Sequence, residues 1–256
     1  MIRGLYTSSL GMTTQMKKMD VISNNLANVA TTGFKKDLAV TRPFSEELLK
    51  RLNDPSDMMK AADVGRLQPG VFVDDVYTNF SQGHFESTGN TFDLAIFGEG
   101  FFAVNVTDQN GNVSEKYTRD GAFTLDSNNA LVTKDAGYVL GQNGPITVPN
   151  GQVTIDDNGN VYSNDVYVDT LRMVDFEDKH TLRKYGDNFY DVTPQSTEIA
   201  FTGRVNQGNL ESSNVNAVRE MVEMVSASRL YEANQRLISM HDTILGKIST
   251  ELAAKQ

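Results

Sequence analysis

The chain has no cysteine in 256 residues. That excludes disulfides, thiolate nucleophiles and cysteine-based zinc sites. Apolar residues are scarce, at 39%, so a sizeable core is possible while part of the chain need not feed it. No apolar run approaches the roughly 18 residues of a membrane-spanning helix, and no insertion into a membrane is expected. The N-terminus also lacks the apolar stretch of about 7–15 residues that marks a secretory signal peptide. The expectation is a chain that is either cytoplasmic or exported by a route without a cleaved signal. Basic charge is in deficit, with a formal net charge of −10. Nucleic acid is therefore not an expected partner, because phosphate neutralisation needs clustered Lys and Arg.

The charge is unevenly spread. Residues 1–42 carry six basic residues against two acidic ones, and residues 215–256 carry five of each sign. The middle, 43–214, therefore holds a net −14. An acidic middle favours solubility, whereas the near-neutral ends are a different kind of surface.

Those ends read as helices. Over residues 2–29, Leu5, Met12, Met19 and Leu26 recur every seven positions, with Met16 and Ile22 beside them. That is a coiled-coil period. Gly4, Ser8 and Gly11 form a neighbouring small-residue stripe. Each glycine costs about 1 kcal/mol inside a helix, so another helix is expected to approach closely there. Over residues 215–253, Met224, Tyr231, Ile238, Leu245 and Leu252 repeat every seven, and Leu230, Leu237 and Ile244 widen the stripe. Asn214 or Asn216 is the expected cap, and Glu220 and Glu223 suit the positive end of the helix dipole. At about 1.5 Å per residue such a helix is nearly 60 Å long.

Between the helices the sequence changes character. Residues 31–66 read as irregular, with a short helix expected at "FSEELLKRL", and residues 67–80 turn to β. From 83 to 205, short strands rich in β-branched and aromatic residues are divided by Gly, Asn, Asp and Pro. "YTRDGAFTL" predicts a hairpin with Asp120-Gly121 as its two-residue turn. No helical pattern alternates with these strands, so a parallel α/β fold is disfavoured. The expected class is α+β. Long N- and C-terminal helices form a coiled-coil-like stem, with an irregular all-β domain of sandwich or barrel type between them. The expected divisions are a 1–30 assembly helix, a 31–82 linker, an 83–205 β domain and a 206–256 assembly helix.

Motifs for chemistry are weak. "GEGFFA", Gly98 to Ala103, fits a dinucleotide fingerprint on paper, but that needs a following helix, and "FFAVNV" alternates like a strand. "DDNGN", Asp156 to Asn160, puts its glycine fourth rather than sixth, so it reads as a polar turn rather than a calcium loop. His84, His180 and His241 have no ligand spacing. Asp74-Asp75 and Asp156-Asp157 are neighbours, and neighbours in a strand point to opposite faces. No catalytic residue, metal site or cofactor is expected, and the chain is not expected to be an enzyme.

The remaining signal lies in the ends. "DVISNNLANVATTGFKK" places Asn24, Asn25 and Asn28 on a helix that breaks before Gly33 and Phe34. Asparagine is a poor helix former, but buried amides fix register and partner number. The helices could pack on each other within one chain. Their length, wide stripes and embedded amides favour packing on other copies. The expected assembly interface comprises Leu5, Met12, Met19, Ile22, Asn24, Asn25, Leu26, Asn28, Gly33 and Phe34. Its C-terminal half comprises Met224, Tyr231, Asn234, Ile238, His241, Leu245 and Leu252.

At these residues the chain resembles the bacterial flagellar basal-body rod and hook protein family. "ISNNLANVATTGFKK" is similar to that family's N-terminal signature. "GEGFFAV", "YTRDGAFTLD" and "LVTKDAGYVLG" match in the middle, and "GNLESSNVNAVREMVEMVSASRLYEANQRLISMHDTILGKI" matches at the end. Length and a single β domain resemble the proximal- or distal-type rod subunits. The resemblance implies export unfolded through the flagellar type III apparatus and helical stacking into the drive shaft that crosses the envelope. It implies partnership with further copies, with other rod and hook proteins and with the export apparatus. The terminal helices would form the inner tube, with the β domain outside. The competing expectation is a secreted β-rich module that binds or hydrolyses cell-wall glycan.

Overall fold

The computed structural model describes residues 2–50, 63–107, 111–134, 137–149, 151–186 and 188–253. Two compact units divide the chain, and each is assembled from separated segments. One comprises Met1–Leu26, Asp37–Tyr77 and Asn216–Gln256; the other comprises Ala27–Lys36 and Thr78–Val215. Residues 37–77 cluster with the helices, and residues 27–36 cluster with the β domain.

In the helical unit, α1 spans Ile2–Ala27 and α2 spans Ala217–Ala253. At about 1.5 Å per residue α2 extends some 55 Å. Its cap is Asn216, whose Oδ1 accepts from the Arg219 amide at 3.0 Å. Asn214, the alternative, is used elsewhere. Over 37–50 and 63–78 the chain pairs as antiparallel strands in a ribbon. Strand Asp37–Pro43 pairs with Val71–Thr78, and Glu47–Lys50 pairs with Asp63–Leu67. The short helix expected at "FSEELLKRL" is therefore irregular at 44–46 and strand at Glu47–Lys50, and its end, from Arg51, lies outside the described residues. Cross-strand partners explain the override. Phe44 and Phe72 rings lie 4.7 Å apart, and Arg42 pairs with Asp74 at 3.0 Å. The ribbon is fixed to α1 through Thr7 and Thr14. Each hydroxyl is shared between its own i−4 carbonyl and a ribbon carbonyl, Pro69 O or Val71 O, at 2.9 Å.

In the β unit, Phe101–Thr107 is the central strand, bonded to Val113–Thr118, Tyr138–Gly141 and Met173–Phe176. Its side chains alternate between two cores, as the pleat requires. Phe102 and Val104 face one, with Leu94, Phe123, Leu131 and Val139; Phe101 and Ala103 face the other, with Tyr117, Phe176 and Tyr190. Edge-on aromatic pairs, Phe102–Phe123 at 5.2 Å and Tyr117–Phe176 at 5.0 Å, fill both. A three-stranded sheet, Val153–Ile155, Asn160–Ser163 and Val166–Thr170, adds Val153, Ile155 and Val161 to the first core. "GEGFFA" runs into strand with no helix, and "DDNGN" is a turn in which Asp156 accepts from the Asn158 and Asn160 amides.

The hairpin expected at Asp120-Gly121 is not formed. Val113–Thr118 pairs with strand Phe101–Thr107 and with Phe189–Asp191, whereas Phe123–Leu125 pairs with Leu131–Thr133. Residues 119–122 cross between these ladders. Gly121 is there because a Cβ would fall 1.6 Å from Leu94 O, and Arg119 and Asp120 turn their side chains to another task.

Candidate functional site

The two helices run antiparallel and meet at glycine notches. A Cβ on Gly4 would lie 2.7 Å from His241 Nε2, and one on Gly11 would lie 2.8 Å from Asn234 Nδ2. Seven residues on along α1 match seven back along α2. Fourteen further on, Asn25 Nδ2 donates to Glu220 Oε2 at 3.4 Å. The glycine stripe expected to admit a helix admits the chain's own α2, and the bulky partners are polar.

Asn25 has a second use. Its Nδ2 donates to Asp37 O at 2.8 Å and its Oδ1 accepts from Asp37 N at 2.9 Å. One amide side chain thus clamps both backbone groups of the residue where the chain returns to the helical unit, much as a β partner would. An amide is the side chain that offers donor and acceptor together. Asn28 caps the helix exit, with Oδ1 accepting from the Thr31 hydroxyl at 3.1 Å.

Residues Thr31–Lys36 form a buried anchor in the β unit. They are neither helix nor strand, yet their backbone groups find partners, as burial demands. Thr32 O accepts from Asn188 Nδ2 at 2.8 Å, and Gly33 N donates to Glu211 O at 2.7 Å. Lys35 O accepts from Lys184 Nζ, and Lys36 N donates to Asn214 Oδ1, both at 2.8 Å. Thr32 Oγ1 donates to Asp120 Oδ1 at 2.6 Å. The Phe34 ring is 2% exposed and lies beneath the Lys184 ammonium, 4.2 Å from its centroid.

Beneath the anchor lies a buried charge triad. Lys35 Nζ is 2.5 Å from Glu211 Oε1 and Arg119 Nη1 is 3.2 Å from Glu211 Oε2, with Lys35 and Glu211 each 1% exposed. Two further donations go to carbonyls, Lys35 Nζ to Ser81 O and Arg119 Nη2 to Gly98 O, both at 2.9 Å, while Arg119 Nε is buried without a partner. Burial pulls the Lys35 pKa below the ordinary lysine range, opposed by attraction to Glu211. Burial pushes the Asp120 pKa up, opposed by its hydrogen bond from Thr32. The arrangement ties residue 35, near the chain's start, to residue 211, near the end of its β segment, through residue 119. Its chemistry is cohesion. Among the described residues no group of three or more His, Cys, Asp or Glu is placed to hold a metal.

The expected interface residues therefore fall into two groups. Gly33 and Phe34 are enclosed by the chain itself, which leaves them no outward surface. Ile22 and Asn25 are buried, and Leu5, Met12, Met19, Leu26, Asn28, Met224, Tyr231, Asn234, Ile238 and His241 are half-buried. Asn24 is exposed and Leu245 is 38% exposed, while the side chain of Leu252 lies outside the described residues. The heptad on α2 thus marks the half-buried side of the helix, the one that turns Asn234 and His241 toward α1.

What the heptad did not single out is the opposite side of α2. Val218, Val222, Val225 and Met240 are exposed there, with Val218 at 71%, while the exposed Leu237 and Ile244 flank the inward Asn234 and His241. Val222 lies two residues from the inward Glu220, about 200° round the helix. An α-helix that is apolar on both sides is one that expects to be covered on both.

With this geometry, the comparisons with known proteins fall into place along the chain. Residues 5–35 match the family described as "Flagella basal body rod protein", 95–163 match "Flagellar hook protein FlgE/F/G D1 domain", and 206–251 match "Flagellar basal body rod FlgEFG protein C-terminal". The chain belongs to the flagellar basal-body rod protein family. The flagellar basal-body rod protein FlgG of Buchnera aphidicola subsp. Schizaphis graminum is 35% identical over 97% of this chain and 99% of its own. FlgF of Caulobacter vibrioides is 34% identical over 93% of each chain. FlgG of Bacillus subtilis is 31% identical over 97% of this chain and 98% of its own. Nothing in these matches favours the glycan-acting alternative. No helix among the described residues is long and apolar enough to cross a membrane.

Proposed function

We propose that this chain is a structural subunit of the flagellar basal-body rod, and that copies associate helically through their terminal helices to build a torque-bearing shaft. The observation that carries the mechanism is the set of exposed apolar side chains along α2, from Val218 to Ile248, which alternate with polar residues such as Arg229, Glu232 and Arg236. Inward, α2 meets α1 at glycine notches; outward, it is complete only against another subunit. The anchor supports the same reading. A load-bearing β unit needs its separated segments held together, and within that unit the Lys35–Glu211–Arg119 triad does this. Other rod and hook proteins of related sequence are the natural neighbours at the ends of the stack. Export without a cleaved signal through the flagellar apparatus is the route this reading assigns.

The test is truncation. Full-length chain is expected to self-associate in a concentration-dependent way. A chain lacking 1–26 and 216–256, which keeps the anchor, is expected to stay monomeric. Polymerisation of that truncated form would show that the helices are not the cause.

A further inference from the structure

With no cysteine in the chain, methionine is the only side chain carrying oxidisable sulfur, and there are ten. Their settings differ. Met12, Met19, Met173 and Met224 are half-buried within the chain. Met16, Met221 and Met240 are 49%, 48% and 60% exposed. Among the described residues, the three exposed methionines sit on the terminal helices, two of them on α2. Met240 also lines a surface depression of about 530 Å³ with Ala233, Leu237 and the stems of Arg229 and Arg236. A thioether suits such a surface because it is apolar, unbranched and adaptable.

We infer that Met16, Met221 and Met240 are peroxide-oxidation sites that control assembly, an inference that rests on the proposed association of copies through both terminal helices. The thioether sulfur attacks one oxygen of hydrogen peroxide and the O–O bond breaks. That oxygen stays on sulfur as the sulfoxide, and the other leaves as water once it takes up the remaining proton. Sulfur loses two electrons and the peroxide gains them. The product is a polar S=O group on a surface that must be desolvated to be covered, so an oxidised subunit docks poorly. Once the face is covered, peroxide no longer reaches the sulfur, so an assembled shaft resists what an unassembled subunit does not.

The test treats full-length, unassembled protein with hydrogen peroxide and maps sulfoxides by peptide mass spectrometry. Assembly is followed by sedimentation. Met16, Met221 and Met240 are expected to oxidise before Met12, Met19, Met173 and Met224. The concentration needed for assembly is expected to rise at least about tenfold. The triple variant Met16→Leu, Met221→Leu, Met240→Leu, which keeps apolar volume, is expected to assemble normally after the same treatment. Oxidised chain that assembles like untreated chain overturns the inference, as does a leucine variant that remains equally sensitive. If untreated protein does not assemble at all, the proposed function fails and this inference falls with it.

Discussion

Replacing Gly33 with alanine isolates what the anchor contributes, because Gly89 provides a matched control. Both glycines have φ of +68°. A Cβ on Gly33 would lie 2.4 Å from Asp120 N and 2.5 Å from Arg119 C, whereas one on Gly89 would meet nothing within 4 Å. Left-handed backbone costs a non-glycine residue about 1–2 kcal/mol, so Gly89→Ala should cost about that. Gly33→Ala pays the same strain and also drives a methyl group into backbone that cannot step aside. Overpacking adds about 1–3 kcal/mol, for a total of about 2–5 kcal/mol. For a unit of this size each kcal/mol lowers Tm by about 2–4 °C. The two variants should then differ by roughly 2–12 °C. The assay is thermal unfolding followed by near-ultraviolet circular dichroism, in which buried Tyr117 and Tyr190 report on the β unit. Equal Tm values for the two variants would refute the close approach of residue 33 to the 119–120 backbone.

Glu211→Gln leaves Lys35 and Arg119 buried without their shared counter-charge, and breaking such a pair costs about 3–5 kcal/mol; urea titration of the β unit should show it. Asn25→Ala removes both hydrogen bonds to the Asp37 backbone, worth about 1–3 kcal/mol when the orphaned groups stay buried. Amide exchange at Asp37 should accelerate while exchange in the β unit is unchanged. Asp120 has its pKa raised by burial, so the folded state holds its proton more tightly than the unfolded state. Its contribution is therefore most favourable below the ordinary aspartate pKa and is lost as pH rises through the raised value. Asp120→Asn should remove that component of the pH slope in denaturant titrations run across the window. An identical slope in both proteins would contradict the assignment.

The helices were legible because a repeat of seven is a strong pattern, and α1 and α2 lie within two residues of where it places them. Which side of α2 faces which partner was not legible. Exposed apolar residues such as Val222 and Met240 lie outside its heptad, so periodicity detects the helix without orienting it. The Asn-rich signature was read as a register device between copies. Its best-resolved member, Asn25, fixes the register of one chain against itself, at Asp37 and Glu220. Asp120-Gly121 misled for a related reason. Its composition is that of a tight turn, but the aspartate is retained for Thr32 and Asn188 and the glycine for the Leu94 carbonyl. Lys35, Arg119 and Glu211 carried no local signal, since a triad spread over 176 residues of sequence is written in tertiary structure alone. The strand at Val71–Thr78 is legible, but that at Glu47–Lys50 is not, because cross-strand pairing outweighs helical propensity in "EELLK".

The most direct measurement is sedimentation of the full-length chain against the double variant Val222→Glu, Met240→Glu across a range of concentrations. Both positions face outward on α2, so the monomer should keep its fold and its circular dichroism. The wild-type chain should pass into large assemblies as concentration rises, while the variant remains monomeric. A variant that assembles at the same concentration as the wild type would contradict the claim that this side of α2 is where copies meet.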